Sequence, residues 1–250
     1  MSRYRACAIH VGISLAIFAV ILWMIVGVWY PGFFFETDGG WQGIRLLFLV
    51  DVVLGPTLTL IVFKAGKPGL KFDLSAIAFA QTLALTGGLW VVHDERPLAL
   101  VYVDGQFFSL SRHDYAEAKV DVPDLGAIPG PYPKRIQVAL PDDPIEQSEI
   151  RSRMLRSNVP LRLLTDHYVP FTPSEQTLAD AFDTKVLEER DQEHHQLARW
   201  VAAHGGTLDD YRFFPYGARY RFAFIGYRAA TRECVGILDI AAPNAPERAG

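Results

Sequence analysis

The segment Leu49-Val-Asp-Val-Val-Leu-Gly-Pro-Thr-Leu-Thr-Leu-Ile-Val-Phe63 sets a carboxylate, a glycine-proline pair and two threonines inside an otherwise apolar run. A soluble core has no use for that combination. Counted from Ile44, the run gives about 20 residues of mostly apolar helix, the length that crosses the hydrocarbon of a bilayer. Asp51 is then inside the membrane. An ionisable side chain near a bilayer centre costs at least about 2.5 kcal/mol on insertion scales, so Asp51 is expected to face protein or water and to find a partner. Pro56 adds a second demand, because it has no N–H for the carbonyl of Val52. The expected result is a kink with a freed acceptor. A neighbouring helix is expected to answer both.

Two further runs supply neighbours. Ile9 to Tyr30 carries no Asp, Glu, Lys or Arg and follows a basic start with Arg3 and Arg5. It is longer than the apolar part of a signal peptide, and no small-residue cleavage site follows it, so it reads as a retained anchor. Trp29, Tyr30 and Phe33 to Phe35 suit either an aromatic belt at the outer interface or a buried loop. Leu74 to Val92 gives the third crossing. Lys64, Lys67 and Lys71 fill the turn before it, whereas Glu36 and Asp38 lie in the first connection. The positive-inside rule then puts the amino terminus and the lysine turn in the cytoplasm and everything after the third crossing outside it.

On the third crossing Ala76, Ala80, Ala84 and Gly88 recur every four residues, a stripe that would let two helices approach closely. Gln81, Thr82 and Thr86 can reach the level of Asp51. The group Asp51, Gly55, Pro56, Gln81 and Thr86 therefore reads as a helix clasp or as a recruitment site for another membrane helix. No second carboxylate, histidine or inverted repeat is expected to share the membrane interior with Asp51. That argues against the alternative of a small transporter or an intramembrane enzyme built on it.

Half of the residues are hydrophobic, and they crowd into the first hundred positions. The remainder is long enough for a core of its own. The expected division is 1–96, a three-helix transmembrane region, and 97–250, an α+β domain with a mostly antiparallel sheet outside the cytoplasm. A net charge of −4 gives no nucleic-acid signature. Cys7 and Cys234 fall on opposite sides of the membrane in this topology and are expected to stay unpaired.

Within the domain, Asp104-Gly105 between two β-prone runs is a hairpin signal. Ser111 is placed to cap a short helix through Ala118, and Pro123 to Pro133 is loop. Lys134 to Leu140 reads as a strand, Asp143 to Arg156 as a helix with acids first and arginines last, and Pro160 to Val169 as irregular chain or short strand. A helix over Pro173 to Phe182 and a longer one over Asp183 to His204, ended by Gly205-Gly206, precede strands on either side of Arg228 to Arg232.

Residues fit for chemistry are scarce. His194-His195 beside Glu189 and Asp191 lacks metal-ligand spacing and reads as a solvated helix face. Asp166-His167-Tyr168 has no nucleophile elbow with it. No P-loop, G-x-G-x-x-G or C-x-x-C occurs, so the expectation is a protein without catalytic residues, cofactor or metal. Arg219, Arg221, Arg228 and Arg232, with Tyr216, Tyr220 and Tyr227, are residue types favoured at binding hot spots. They read as a contact surface, with Arg219 and Arg221 alternating onto one strand face, or as arginines paired with the domain's own carboxylates.

Asp51-Val-Val-Leu-Gly-Pro-Thr-Leu-Thr-Leu60, Phe63, the Lys67 to Lys71 turn, Asp73-Leu-Ser-Ala-Ile77 and Gln81-Thr-Leu-Ala-Leu85 together resemble the type IV pilin accessory family, of TfpX/TfpZ-like type. The resemblance covers roughly the first hundred residues. It implies a multi-pass protein of a Gram-negative inner membrane whose expected partners are a cognate type IV pilin, inner-membrane pilus assembly components and membrane lipid. It would assist fimbrial biogenesis, pilus dynamics and so twitching motility. The family offers no catalytic residue to carry over.

Overall fold

The computed structural model describes residues 2–192 and 194–240. The chain divides into two compact units, Met1–Arg96 and Pro97–Gly250.

The first unit contains three helices long and apolar enough to cross a membrane: α1, Arg3–Trp29; α2, Gly40–Val62; and α3, Leu70–Asp94. The final turn of α1, Ile25–Trp29, and the middle of α2, Leu49–Leu54, are wound as π turns. Phe18 of α1 meets Phe48 of α2 edge to face at 5.3 Å between ring centroids. Tyr30, buried at the end of α1, donates its hydroxyl to the carbonyl of Val92 on α3 (2.8 Å). Tyr30 and Phe34 are therefore packed inside and do not form an exposed aromatic belt.

Close approach of α2 and α3 uses glycines on both helices. A Cβ on Gly43 would lie 2.8 Å from a methyl of Val92, and one on Gly88 would lie 2.9 Å from a methyl of Leu47. Gly88 of the expected small-residue stripe thus packs, but Ala76, Ala80 and Ala84 are exposed. The packed face of α3 instead runs through Ile77, Gln81, Leu85, Gly88 and Val92. One residue turns a helix by about 100°, so fixing Gln81 against α2 carries Ala80 and Ala84 away from the contact.

In the second unit, β1 (Pro97–Val103) and β2 (Gln106–Ser111) form an antiparallel hairpin. Its two turn residues, Asp104 and Gly105, both have positive φ (48° and 73°), as a two-residue hairpin turn requires. Ser111 and Asp114 build a capping box for α4 (Arg112–Glu117). β3 (Lys134–Val138) follows, then α5 (Pro144–Ser157), β4 (Tyr168–Pro170), α6 (Glu175–Ala179), α7 (Thr184–Arg190), α8 (Gln196–His204), β5 (Tyr211–Gly217), β6 (Phe222–Arg228) and β7 (Cys234–Leu238). The strands form one sheet in the order β4-β3-β1-β2-β5-β6-β7.

The sheet is mixed, which corrects the expectation of a mostly antiparallel one. β1 pairs with β3 in parallel, and β2 pairs with β5 in parallel. The hairpin sits in the middle, and each of its outer edges receives a strand delivered by a long crossover. Such a connection reverses the chain twice and so makes parallel neighbours. The helices between the strands were the sign of it.

One core cluster gathers Ala99, Val101, Ile136, Tyr115 and Leu163. A second joins Leu187, Leu197 and Trp200 to Tyr211, Phe213 and Phe224. Burial raises the Tyr115 hydroxyl to about 12. The single long helix expected over Asp183 to His204 is two. α7 ends before Asp191, whose buried carboxylate accepts from the N–H of Leu197 (2.6 Å) at the start of α8, and His195 takes a left-handed φ of 50°. A carboxylate that caps a new helix start competes with continuation of the old helix.

Candidate functional site

Asp51 is where the three long helices meet. Its environment follows from Pro56. In an α-helix the missing N–H of Pro56 would orphan the carbonyl of Val52, but in a π turn each N–H reaches one residue further back. The π winding of Leu49–Leu54 therefore transfers the orphaned acceptor to Asp51. Two side chains answer it: Ser14 Oγ of α1 donates to the Asp51 carbonyl at 2.9 Å, and Gln81 Nε2 of α3 donates to it at 3.0 Å. Gln81 Nε2 also donates to Asp51 Oδ1 at 2.5 Å.

Asp51 is only 3% exposed. Its second oxygen, Oδ2, and the Oε1 of Gln81 are buried without a hydrogen-bond partner among the described residues. Gly55 makes room for the contact. A Cβ there would overlap the amide of Gln81, so any other residue would push that amide off Asp51.

The structure thus gathers Asp51, Gly55, Pro56 and Gln81, while Thr86 is exposed on another face of α3. Thr82 bonds back to the carbonyl of Ala78 in its own helix, and Thr57 to that of Val53. Three participants escaped the sequence reading. Besides Ser14, His10 Nδ1 of α1 hydrogen-bonds Thr59 Oγ1 of α2 at 2.7 Å. A histidine therefore joins two of the three long helices, near the amino-terminal end of α1. The signal was there: His10 and Ser14 are four apart on one helix, and Asp51 and Thr59 are eight apart on the other, so each pair shares a face.

The arginines of the second unit are dispersed. Arg219 and Tyr220 lie in the turn between β5 and β6, not on a strand face, with the guanidinium over the Tyr220 ring at 5.7 Å. Arg221 pairs with Asp239 (3.1 Å) and Arg232 with Glu175 (3.2 Å). Arg228, at the far end of β6, donates to the carbonyl of His204 (3.0 Å) and covers the ring of Tyr211. Tyr227 is buried, stacked on Phe107 with ring centroids 5.9 Å apart, and burial pushes its hydroxyl well above the usual phenol range. Arg219, Arg221, Arg228 and Tyr227 are not brought into one surface. His194 and His195 occupy the break between α7 and α8, and their carbonyls accept from Arg199. Among the described residues no three His, Cys, Asp or Glu side chains stand together as a metal-ligand set. Cys7 and Cys234 are both free thiols, and burial raises that of Cys234.

No protein-family model matches the chain, and no solved structure does. Over 113 residues, however, it is 33% identical to "Fimbrial assembly protein, serogroups C1 and C2" of Dichelobacter nodosus, a match that covers 44% of this chain and 86% of that protein. The chain belongs to this family of fimbrial assembly proteins. It is also 34% identical over 113 residues to the serogroup I fimbrial assembly protein and 31% identical over 113 residues to that of serogroup E1, both of Dichelobacter nodosus. Each of these matches covers 44% of the chain and 44% of the relative, so the chain spans less than half the length of those two. Among the described residues the best-defined polar constellation inside the helix bundle is the one centred on Asp51. Its chemistry is that of adhesion between helices: one carbonyl and one carboxylate held by two donors from two other helices.

Proposed function

We propose that the protein is a non-catalytic accessory of type IV pilus biogenesis, of the TfpX/TfpZ-like kind, which binds its cognate pilin and assists assembly or pilus dynamics. The observation that carries this reading is the similarity to proteins named for fimbrial assembly, together with three helices of membrane-crossing length. An accessory that receives an apolar membrane helix needs a bundle with its polar groups turned inward. Ser14, Asp51 and Thr59 are buried in just that way.

In this reading the amino terminus and the lysine turn are cytoplasmic, the bundle sits in the inner membrane, and the unit from Pro97 is periplasmic. The binding role is favoured over catalysis because Asp51 Oδ1 is engaged by Gln81 and the nearby Ser14 hydroxyl is engaged by the Asp51 carbonyl. Deletion should reduce surface pili and twitching while leaving pilin synthesis intact; unchanged piliation across several growth conditions would remove the proposal. For topology, phosphatase fused after Gly250 should be active and phosphatase in the Gly66 turn inactive, and the opposite pattern would reverse the placement.

A further inference from the structure

The second oxygen of the Asp51 carboxylate has no hydrogen-bond partner among the described residues, but the better-defined oddity is in the main chain. A proline in the body of a membrane-length helix ordinarily counts as a defect, tolerated where other groups satisfy the carbonyl it strands. Here the stranded carbonyl has two donors, and they come from two different helices. Ser14 reaches it from α1 at 2.9 Å and Gln81 reaches it from α3 at 3.0 Å. A carbonyl has two lone pairs, so both bonds can be held together. A regular α2 would have spent the same acceptor inside its own ladder and offered neither neighbour anything.

We propose that Pro56 and the π turn at Leu49–Leu54 are a joining device: they withdraw the Asp51 carbonyl from its own helix so that it can fasten α1 and α3 to α2 at a single point. Pro56 is then a positioning residue that acts through a carbonyl five residues before it. Gly55 belongs to the same device, since a side chain there would displace the Gln81 amide. Ser14 has a defined task, as the α1 half of the joint. The device explains why a proline, a preceding glycine and an irregular turn coincide with the most buried carboxylate of the bundle. It stands independently of what the protein binds, because it concerns how its own helices hold together.

A proline that merely kinks α2 and one that displays a carbonyl give opposite results when Pro56 is replaced. With Ala at 56 the N–H returns, the ladder can take back its acceptor, and Gln81 keeps only its bond to Asp51 Oδ1. The unfolding midpoint of the full-length chain in bicelles is the readout, for Pro56→Ala, Gln81→Leu and the double variant. The joint predicts that the loss caused by Gln81→Leu is smaller in the Pro56→Ala background, by the part that the carbonyl bond contributes. An undiminished loss there, so that the two changes simply add, would overturn it. A second cycle keeps the test open should Pro56→Ala not insert. Ser14→Ala and Gln81→Leu each leave the carbonyl one donor, so together they should lower the midpoint by more than the sum of their separate effects. Strict additivity of that pair would overturn the joint equally.

Discussion

Gln81 on α3 holds Asp51 on α2 twice, through the main-chain carbonyl at 3.0 Å and through Oδ1 at 2.5 Å. The relation is asymmetric. Gln81 supplies the donor to both acceptors, whereas Asp51 keeps its carbonyl whatever its side chain becomes. The cost of substitution should therefore rank Gln81→Leu above Asp51→Leu, and Asp51→Leu above Asp51→Asn. Asn retains an acceptor and adds an N–H₂ able to serve Gln81 Oε1, which has no partner among the described residues. Interhelical hydrogen bonds in membranes average about 0.6 kcal/mol, so Asp51→Asn should stay within that, while Gln81→Leu should cost roughly 1–2 kcal/mol. Equilibrium unfolding in bicelles orders the three, and a loss in Asp51→Asn as large as in Gln81→Leu would show that charge, not hydrogen bonding, matters at this site.

Gly55→Ala tests the room that the pair needs. The new methyl would overlap the Gln81 amide, and that flexible end can swing away only by leaving Asp51. A loss of about 1–3 kcal/mol is expected, as for other overpacked sites. In a Gln81→Ala background the same change should be nearly neutral.

The second unit has its own tight approach. A Cβ on Gly226 of β6 would lie 2.6 Å from the indole of Trp200, and the indole cannot retreat freely because its Nε1 donates to the carbonyl of Ile237 at 2.7 Å. Gly226→Ala should cost roughly 1–3 kcal/mol, seen as a lower midpoint when Trp fluorescence reports unfolding. Trp200→Phe, which keeps a ring but loses the donor, should cost about 1 kcal/mol.

A pH dependence follows from Asp210. Its carboxylate accepts from the backbone N–H (2.7 Å) and the hydroxyl (3.1 Å) of Thr207, and these bonds, the backbone one first, hold it below the ordinary Asp range. A carboxyl depressed in the folded state contributes stability that is present above its unfolded pKa and lost as pH falls through the folded one. Thermal scans from neutral to acid pH should thus show a smaller acid-induced drop for Asp210→Asn than for the unaltered protein. Equal drops would remove Asp210 from the acid response.

Much of this was legible in the sequence because it rests on local chemistry. The Asp104-Gly105 turn, the cap at Ser111 and the three apolar runs all announce themselves within a few residues. Asp51 was conspicuous because a carboxylate in an apolar helix needs a partner, and Gln81 was the available amide on α3. What stayed hidden depends on winding and on distance along the chain. The π turn moved the freed acceptor from Val52 to Asp51, and a one-residue difference of that kind leaves no mark in composition. The parallel ladders of β1 with β3 and β2 with β5 were missed because hairpin signals speak only for neighbouring strands. The break at Asp191 was missed because a continuous polar stretch looks helical until one carboxylate is seen to cap the next helix. Tyr227 looked like a contact residue, and its place against Phe107 is set by the register of strands that meet far apart in sequence.

The central proposal, that this chain acts in pilus biogenesis by engaging a pilin within the membrane, is tested most directly by photocrosslinking in intact cells. An apolar photoprobe at Ala80, exposed on α3, and others at exposed positions of α1 and α2 would report what lies against the bundle. The account predicts an adduct with the major pilin from at least one helix face, dependent on the presence of pilin and retained in Asp51→Asn. Adducts with lipid alone from every face, in cells that carry normal pili, would contradict it.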